Sequence, residues 1–341
     1  MLLPVSLLVA VAWVYWLLRP THSRVLPPQR RRAVPWLGTQ VLALAIAVLF
    51  LCPALAEGLL RGTPFLNWLY GPGFLDALER REEFASARYL VWVAVLAFPL
   101  RLVAIIALVK LSQAHWYQVG LSGQHVGRDV LHGVLGFCVM TPVVRGVQQI
   151  AADLWRTWVV APGEHPLIKV SETQPHLIDW LLIFTAAVVT AAVVEELLFR
   201  GILQPWFATR PYGGDIAVIA SLGLAAFAVS PSMYAAGAVR DKAIASAPFL
   251  FALAMVPAYL LVRRLSRSLT LTAIFGTALL FGVAHSGVWP TPISLFVLAL
   301  GLGVLCYRMQ SVLPAMVTHA LFNALSFVEL VVHSVTHAKG E

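Results

Sequence analysis

The chain has 341 residues, of which 60% are hydrophobic and only 12% are charged, against roughly a quarter charged in soluble domains. That is too little charge to clothe a water-exposed surface, which excludes an ordinary soluble enzyme. The formal net charge of +8 suggests a nucleic-acid partner at first sight. The arginines gather instead in short loops between apolar runs, as retention on the cytoplasmic side of a membrane requires, so no nucleic acid is expected.

Apolar runs of roughly 17–25 residues recur, long enough to cross about 30 Å of hydrocarbon at ~1.5 Å per helical residue. The alternation at period two that marks a membrane barrel is absent. The expected fold class is therefore all-α, a polytopic integral membrane helical bundle of about 8–10 transmembrane helices.

In chain order, ten spans are predicted, at approximately 1–18, 34–60, 89–110, 129–150, 179–205, 214–230, 246–262, 269–288, 292–307 and 312–333. The first, MLLPVSLLVAVAWVYWLLRP, has no basic start and no small-x-small cleavage site, so it reads as a retained span rather than a signal peptide. The third holds Pro99 and Arg101; this arginine either snorkels towards Lys110 or marks a break. The fourth is the least apolar, with His132, Arg145, Gln148 and Gln149. Residues 151–178 read as an amphipathic or loop connection with charges of both signs. The stretch 19–33, the loop 263–268 and Arg308 are basic and fall on one side of ten spans, which makes that side cytoplasmic and puts both termini outside. Cys52, Cys138 and Cys306 are scattered without a CxxC spacing and read as small core residues. The organisation expected is an N-terminal transmembrane region, 1–124, followed by a chemical domain, 125–333.

Ionisable side chains inside spans are costly, by about 2.5–3.5 kcal/mol each on insertion scales. Three segments incur that cost. In AAVVEELLFRG, Glu195 and Glu196 point about 100° apart on a helix, so the two carboxylates do not share one task. Glu196 and Arg200 are four apart and form a natural ion pair. Glu195 then faces elsewhere, able to act as a base. In FGVAH, Phe281 and His285 share a face; in VTHALFNALSF, His319 and Asn323 do. Taken singly, each has a plainer explanation: glutamates at a headgroup boundary, a core histidine, or amide and imidazole groups bonding between membrane helices. Taken together they are a base, two imidazoles and an amide donor on different helices, the parts needed for attack of water on a carbonyl. Helical rise places Glu195, His285 and His319 about 18, 24 and 12 Å deep, which permits convergence.

EELLFRG, FGVAH and HALFN resemble the three motifs EExxxR, FxxxH and HxxxN of the CAAX protease and bacteriocin-processing family. These are intramembrane glutamic endopeptidases, and the likeness to the type II CAAX prenyl endopeptidases covers roughly residues 125–330. The resemblance implies that Glu195 is the general base for water, assisted by His285, and that His319 and Asn323 stabilise the tetrahedral oxyanion. It implies structural support from Glu196 and Arg200, packing of the site by Phe281, and neither metal nor other cofactor. The implied partner is a membrane-embedded or membrane-anchored protein or peptide substrate within a lipid bilayer, in the plasma (inner) membrane if the source is bacterial. One departure stands out: about 90 residues separate Glu195 from His285, so an inserted helical pair is expected at about 208–268. Three other readings compete. They are a catalytically silent scaffold or bacteriocin-immunity protein of the same fold, a zinc enzyme using Glu195, His285 and His319 without an HExxH motif, and a proton-coupled transporter.

Overall fold

A computed structural model describes residues 34–157, 170, 175–235, 242 and 245–337. Among the described residues the architecture is helical. Nine long helices follow one another: α1 (Gly38–Arg61), α2 (Glu83–Leu111), α3 (Gly123–Arg156) and α4 (Leu177–Ala208); α5 (Gly213–Ala235), α6 (Ala247–Ser266), α7 (Leu269–Ala284), α8 (Thr291–Met309) and α9 (Leu313–His337). Eight are long and apolar enough to cross a membrane, and α7 is a shorter apolar helix. This is a multi-pass integral membrane protein. The expected span 1–18 lies outside the described residues; the other nine expected spans each coincide with a helix.

Two expectations about polar residues in spans are revised. Arg101 and Pro99 do not break α2, which runs unbroken for 29 residues. Nor does Arg101 reach for Lys110: its Nε donates to the carbonyl of Val48 at 3.1 Å. The least apolar span, α3, is a continuous helix despite Pro142, and its polar side chains bond along it, Arg145 to Gln148 and Gln149 to Asp153.

The chain divides into two compact units, with boundaries inside α4, between Leu198 and Phe199, and inside α9, between Thr318 and His319. In the first unit α7 packs on α5, α6 and α8, and α3 packs on α8. Its central helix α7 is buried almost all round. Small residues allow that closeness: a Cβ on Gly276 of α7 would sit 2.6 Å from the Cβ of Ala217 on α5. Without a hydrophobic drive between helices in lipid, such backbone approach is what gives them packing energy. The region 208–268 holds the helical pair α5 and α6, tied by Asp215, which accepts from Tyr259 (2.8 Å) and Arg263 (2.6 Å).

In the second unit α2 packs against α1 and against the N-terminal part of α4. A buried polar knot fastens them. Asp179, 2% exposed, accepts from the Tyr70 hydroxyl (2.7 Å), Arg88 Nε (3.2 Å) and the His176 amide (2.9 Å). Trp92 Nε1 in turn donates to the Tyr70 oxygen at 3.0 Å. A carboxylate and a guanidinium are tolerated here because they pair with each other and the carboxylate takes two further donors.

Candidate active site

The segment that carries the glutamate pair is not a plain α-helix. Within α4, π-helical turns at Thr185–Thr190 and Glu196–Leu203 flank an α-helical stretch, Ala191–Glu195. A π-turn inserts one residue into the helical register and is frequent at functional sites. Glu195 ends the α-helical stretch and Glu196 begins the second π-turn. Pro205 lies five residues beyond Arg200, where an i+5 donor is due, and proline has no N–H. Cys306 Sγ donates to the Arg200 carbonyl instead, at 3.8 Å.

In the second unit two of the candidate residues, His319 and Asn323, are tied to α4. His319 Nδ1 lies 2.9 Å from Glu196 Oε1, with both side chains almost fully buried. Asn323 Nδ2 donates to the Ala187 carbonyl at 2.7 Å. That carbonyl belongs to the first π-turn: the Ala191 amide reaches back five residues to Ala186, and the next carbonyl along takes Asn323. Glu195 is half-buried. The link between Glu196 and His319 was missed from sequence, because no spacing rule connects residues 123 positions apart.

In the first unit Arg200 is 2% exposed. Its guanidinium stacks over the Phe281 ring at 4.5 Å and donates to the Ala299 carbonyl at 3.4 Å. Phe281 is fully buried, edge-on to Phe199 at 5.1 Å. His285 caps the end of α7, its ring against Phe281 at 4.7 Å. Its Nδ1 lies 2.8 Å from the Phe281 carbonyl. A carbonyl only accepts, so Nδ1 carries a proton in this bond. A shallow open pocket in this unit is lined by Arg200, Gln204, Thr270, Cys306 and Gln310, among others; none of the candidate base or oxyanion groups lines it. Among the described residues no group of three or more His, Cys, Asp or Glu side chains gathers closely enough to hold a metal ion.

Residues 177–270 and 258–325 match the family of type II CAAX prenyl endopeptidase Rce1-like proteins. The C-terminal region is similar to that family. Glu195, Glu196, Arg200, Phe281, His285, His319 and Asn323 all fall inside the matched residues of this Rce1-like region, whereas α1, α2 and α3 lie before it. No curated protein and no solved structure matches the chain. The Rce1-like match supports a membrane endopeptidase of the CAAX-protease type.

Proposed function

We propose that the protein hydrolyses a peptide bond of a membrane-associated protein or peptide by a metal-free, glutamate-activated water. The observation that carries this reading is the Glu196–His319 hydrogen bond beside an adjacent glutamate that faces another way. In this reading the two carboxylates take different tasks.

Glu195 is the general base in this scheme. It takes a proton from water as the oxygen attacks the substrate carbonyl. His285 assists, its ring oriented by the Nδ1 bond to Phe281. His319 and Asn323 stabilise the oxyanion. A buried Glu196–His319 pair is least costly in hydrocarbon when it is neutral overall. That state places one proton on the shared hydrogen bond and one on Nε2, which makes Nε2–H a donor towards the oxyanion. The Asn323 amide has two N–H bonds; Ala187 takes one, and the other serves the same oxyanion. Donors held this way in a low-dielectric site stabilise developing charge without reorganising. Arg200 and Phe281 brace the π-turn on which Glu196 is mounted. The membrane is the plasma (inner) membrane for a bacterial source.

The test is proteolysis of an internally quenched membrane peptide, farnesylated and unmodified, by purified protein in liposomes. Glu195→Gln should abolish cleavage while the protein inserts and unfolds thermally as wild type does. Normal cleavage by that variant would sink the reading. Treatment with a chelator should leave the wild-type rate unchanged.

A further inference from the structure

Three hydrogen bonds join α8 to the π-turn Glu196–Leu203 of α4 and to Gln204, the residue that follows it. Arg200 donates to the Ala299 carbonyl at 3.4 Å and Gln204 Nε2 to the Gly303 carbonyl at 3.0 Å; Cys306 Sγ returns to the Arg200 carbonyl at 3.8 Å. Ala299, Gly303 and Cys306 follow one another at spacings of four and three, so they share one face of α8. The approach is close. A Cβ on Gly303 would stand 2.8 Å from Gln204 Oε1 and 3.0 Å from Ile274 Cγ2 of α7.

Gln204 is the one of these side chains whose presence packing does not explain. It is 4% exposed. A carbonyl only accepts, so the amide nitrogen faces Gly303, and Oε1 is left with no hydrogen-bond donor. An unmet buried acceptor destabilises by at least as much as an ordinary hydrogen bond contributes. Nor does Gly303 need the bond, because it lies within α8 and its carbonyl has the helical amide of Tyr307 four residues on. Leucine, of similar size, would fill the space with no unmet group, so stability does not call for an amide here. What the amide supplies is direction, by tying the end of the π-turn to one point on α8.

That direction matters at the other end of the turn. A π-turn holds one residue more than the α-helix it interrupts. Were it to relax, the residues before it would rotate against those after it by one position, about 100°. Glu196 is the first residue of the turn and Glu195 the last before it. Two other π-turns of the chain are likewise held by side chains: Val48 in the turn Ala47–Leu51 of α1 accepts from Arg101, and Ala187 in Thr185–Thr190 accepts from Asn323.

We propose that Gln204 is a positioning residue for the glutamate pair: its hydrogen bond to Gly303 clamps the π-turn to α8 and so sets the rotation of Glu195 and Glu196 about the α4 axis. The inference rests on the reading of Glu195 as the base.

Gln204→Leu removes the donor and keeps the volume. With the quenched farnesylated peptide in liposomes it should lower kcat by at least about tenfold with KM within about twofold, while its thermal midpoint is no lower than that of wild type. Gln204→Glu keeps a donor for Gly303 only while its carboxyl is protonated. Its rate relative to wild type should therefore be highest at the acidic end of the pH range and fall as pH rises, a trend that Gln204→Leu should lack. Wild-type kcat in Gln204→Leu overturns the proposal. So does loss of folding or of thermal stability in that variant, which would make the amide a packing element, and so does a constant ratio of the Gln204→Glu rate to wild type across pH. If Glu195→Gln cleaves normally, the base assignment fails first; if it is inactive while Gln204→Leu is fully active, only the role of Gln204 fails.

Discussion

Asp179 illustrates how single residues hold this membrane protein together. Three donors converge on its carboxylate, and Arg88 is the cation among them. Asp179→Asn would strand a buried guanidinium, so the thermal midpoint in detergent should fall by the equivalent of about 3–5 kcal/mol. Tyr70→Phe, which removes one neutral donor, should cost about 1 kcal/mol. Burial and the neighbouring carboxylate push the Tyr70 phenol upward. A raised value in the folded state means that the contribution is complete below the ordinary tyrosine range, about 10, and is lost as pH rises above it. Stability should therefore decline at strongly alkaline pH, and less so in Tyr70→Phe; pH-dependent unfolding curves of the two proteins check this. At the candidate site, the residues themselves were legible in sequence, because Glu195, Glu196, His319 and Asn323 are polar groups in runs that tolerate few. Their partners were not. Glu196 meets His319 across 123 positions, a pairing that helical spacing does not reach.

At the scale of the element, the π-turns share a rule. Each shifts the hydrogen-bond ladder by one residue, and a carbonyl of each turn takes a side chain from another helix: Val48 takes Arg101, Ala187 takes Asn323, and Arg200 takes Cys306. Two of the three carbonyls stand five residues before a proline, at Pro53 and Pro205, so the sequence carried part of the signal. The side chains themselves had plainer readings: Cys306 as a small core residue, Arg101 as a snorkelling group or a break. Asn323→Ala should leave the Ala187 carbonyl without that donor, at about 1–3 kcal/mol of stability. Loss of an oxyanion donor should also lower kcat by about 10²–10³. Proteolysis rates measured alongside thermal unfolding separate the two effects. Span positions were readable because hydrocarbon thickness imposes a length; α7 is the revealing case. The span was expected to run to 288, but the helix ends at Ala284 with His285 as its cap, where His285, Ser286 and Gly287 interrupt the apolar run.

At the scale of the whole molecule, the proposed mechanism asks several side chains to serve one water molecule. Kinetics can test that independently of any structure. Glu195→Gln and His285→Ala should each be severely impaired, and the double variant should be little worse than the more impaired single one, because groups that act as a unit are strongly non-additive. Losses that multiply in the double variant would mean that the two side chains act in separate steps.

The membrane-bundle class was set by the amino-acid sequence alone. A chain with 12% charged residues and repeated span-length apolar runs has no stable arrangement in water, and three polar motifs in such runs persist only where they are used or paired. Tertiary structure alone decided who pairs with whom: Glu196 with His319, Arg101 with Val48, Asn323 with Ala187. The physical reason is that each of these bonds depends on helix register and on the approach of a second helix. Composition and spacing along one chain contain neither quantity.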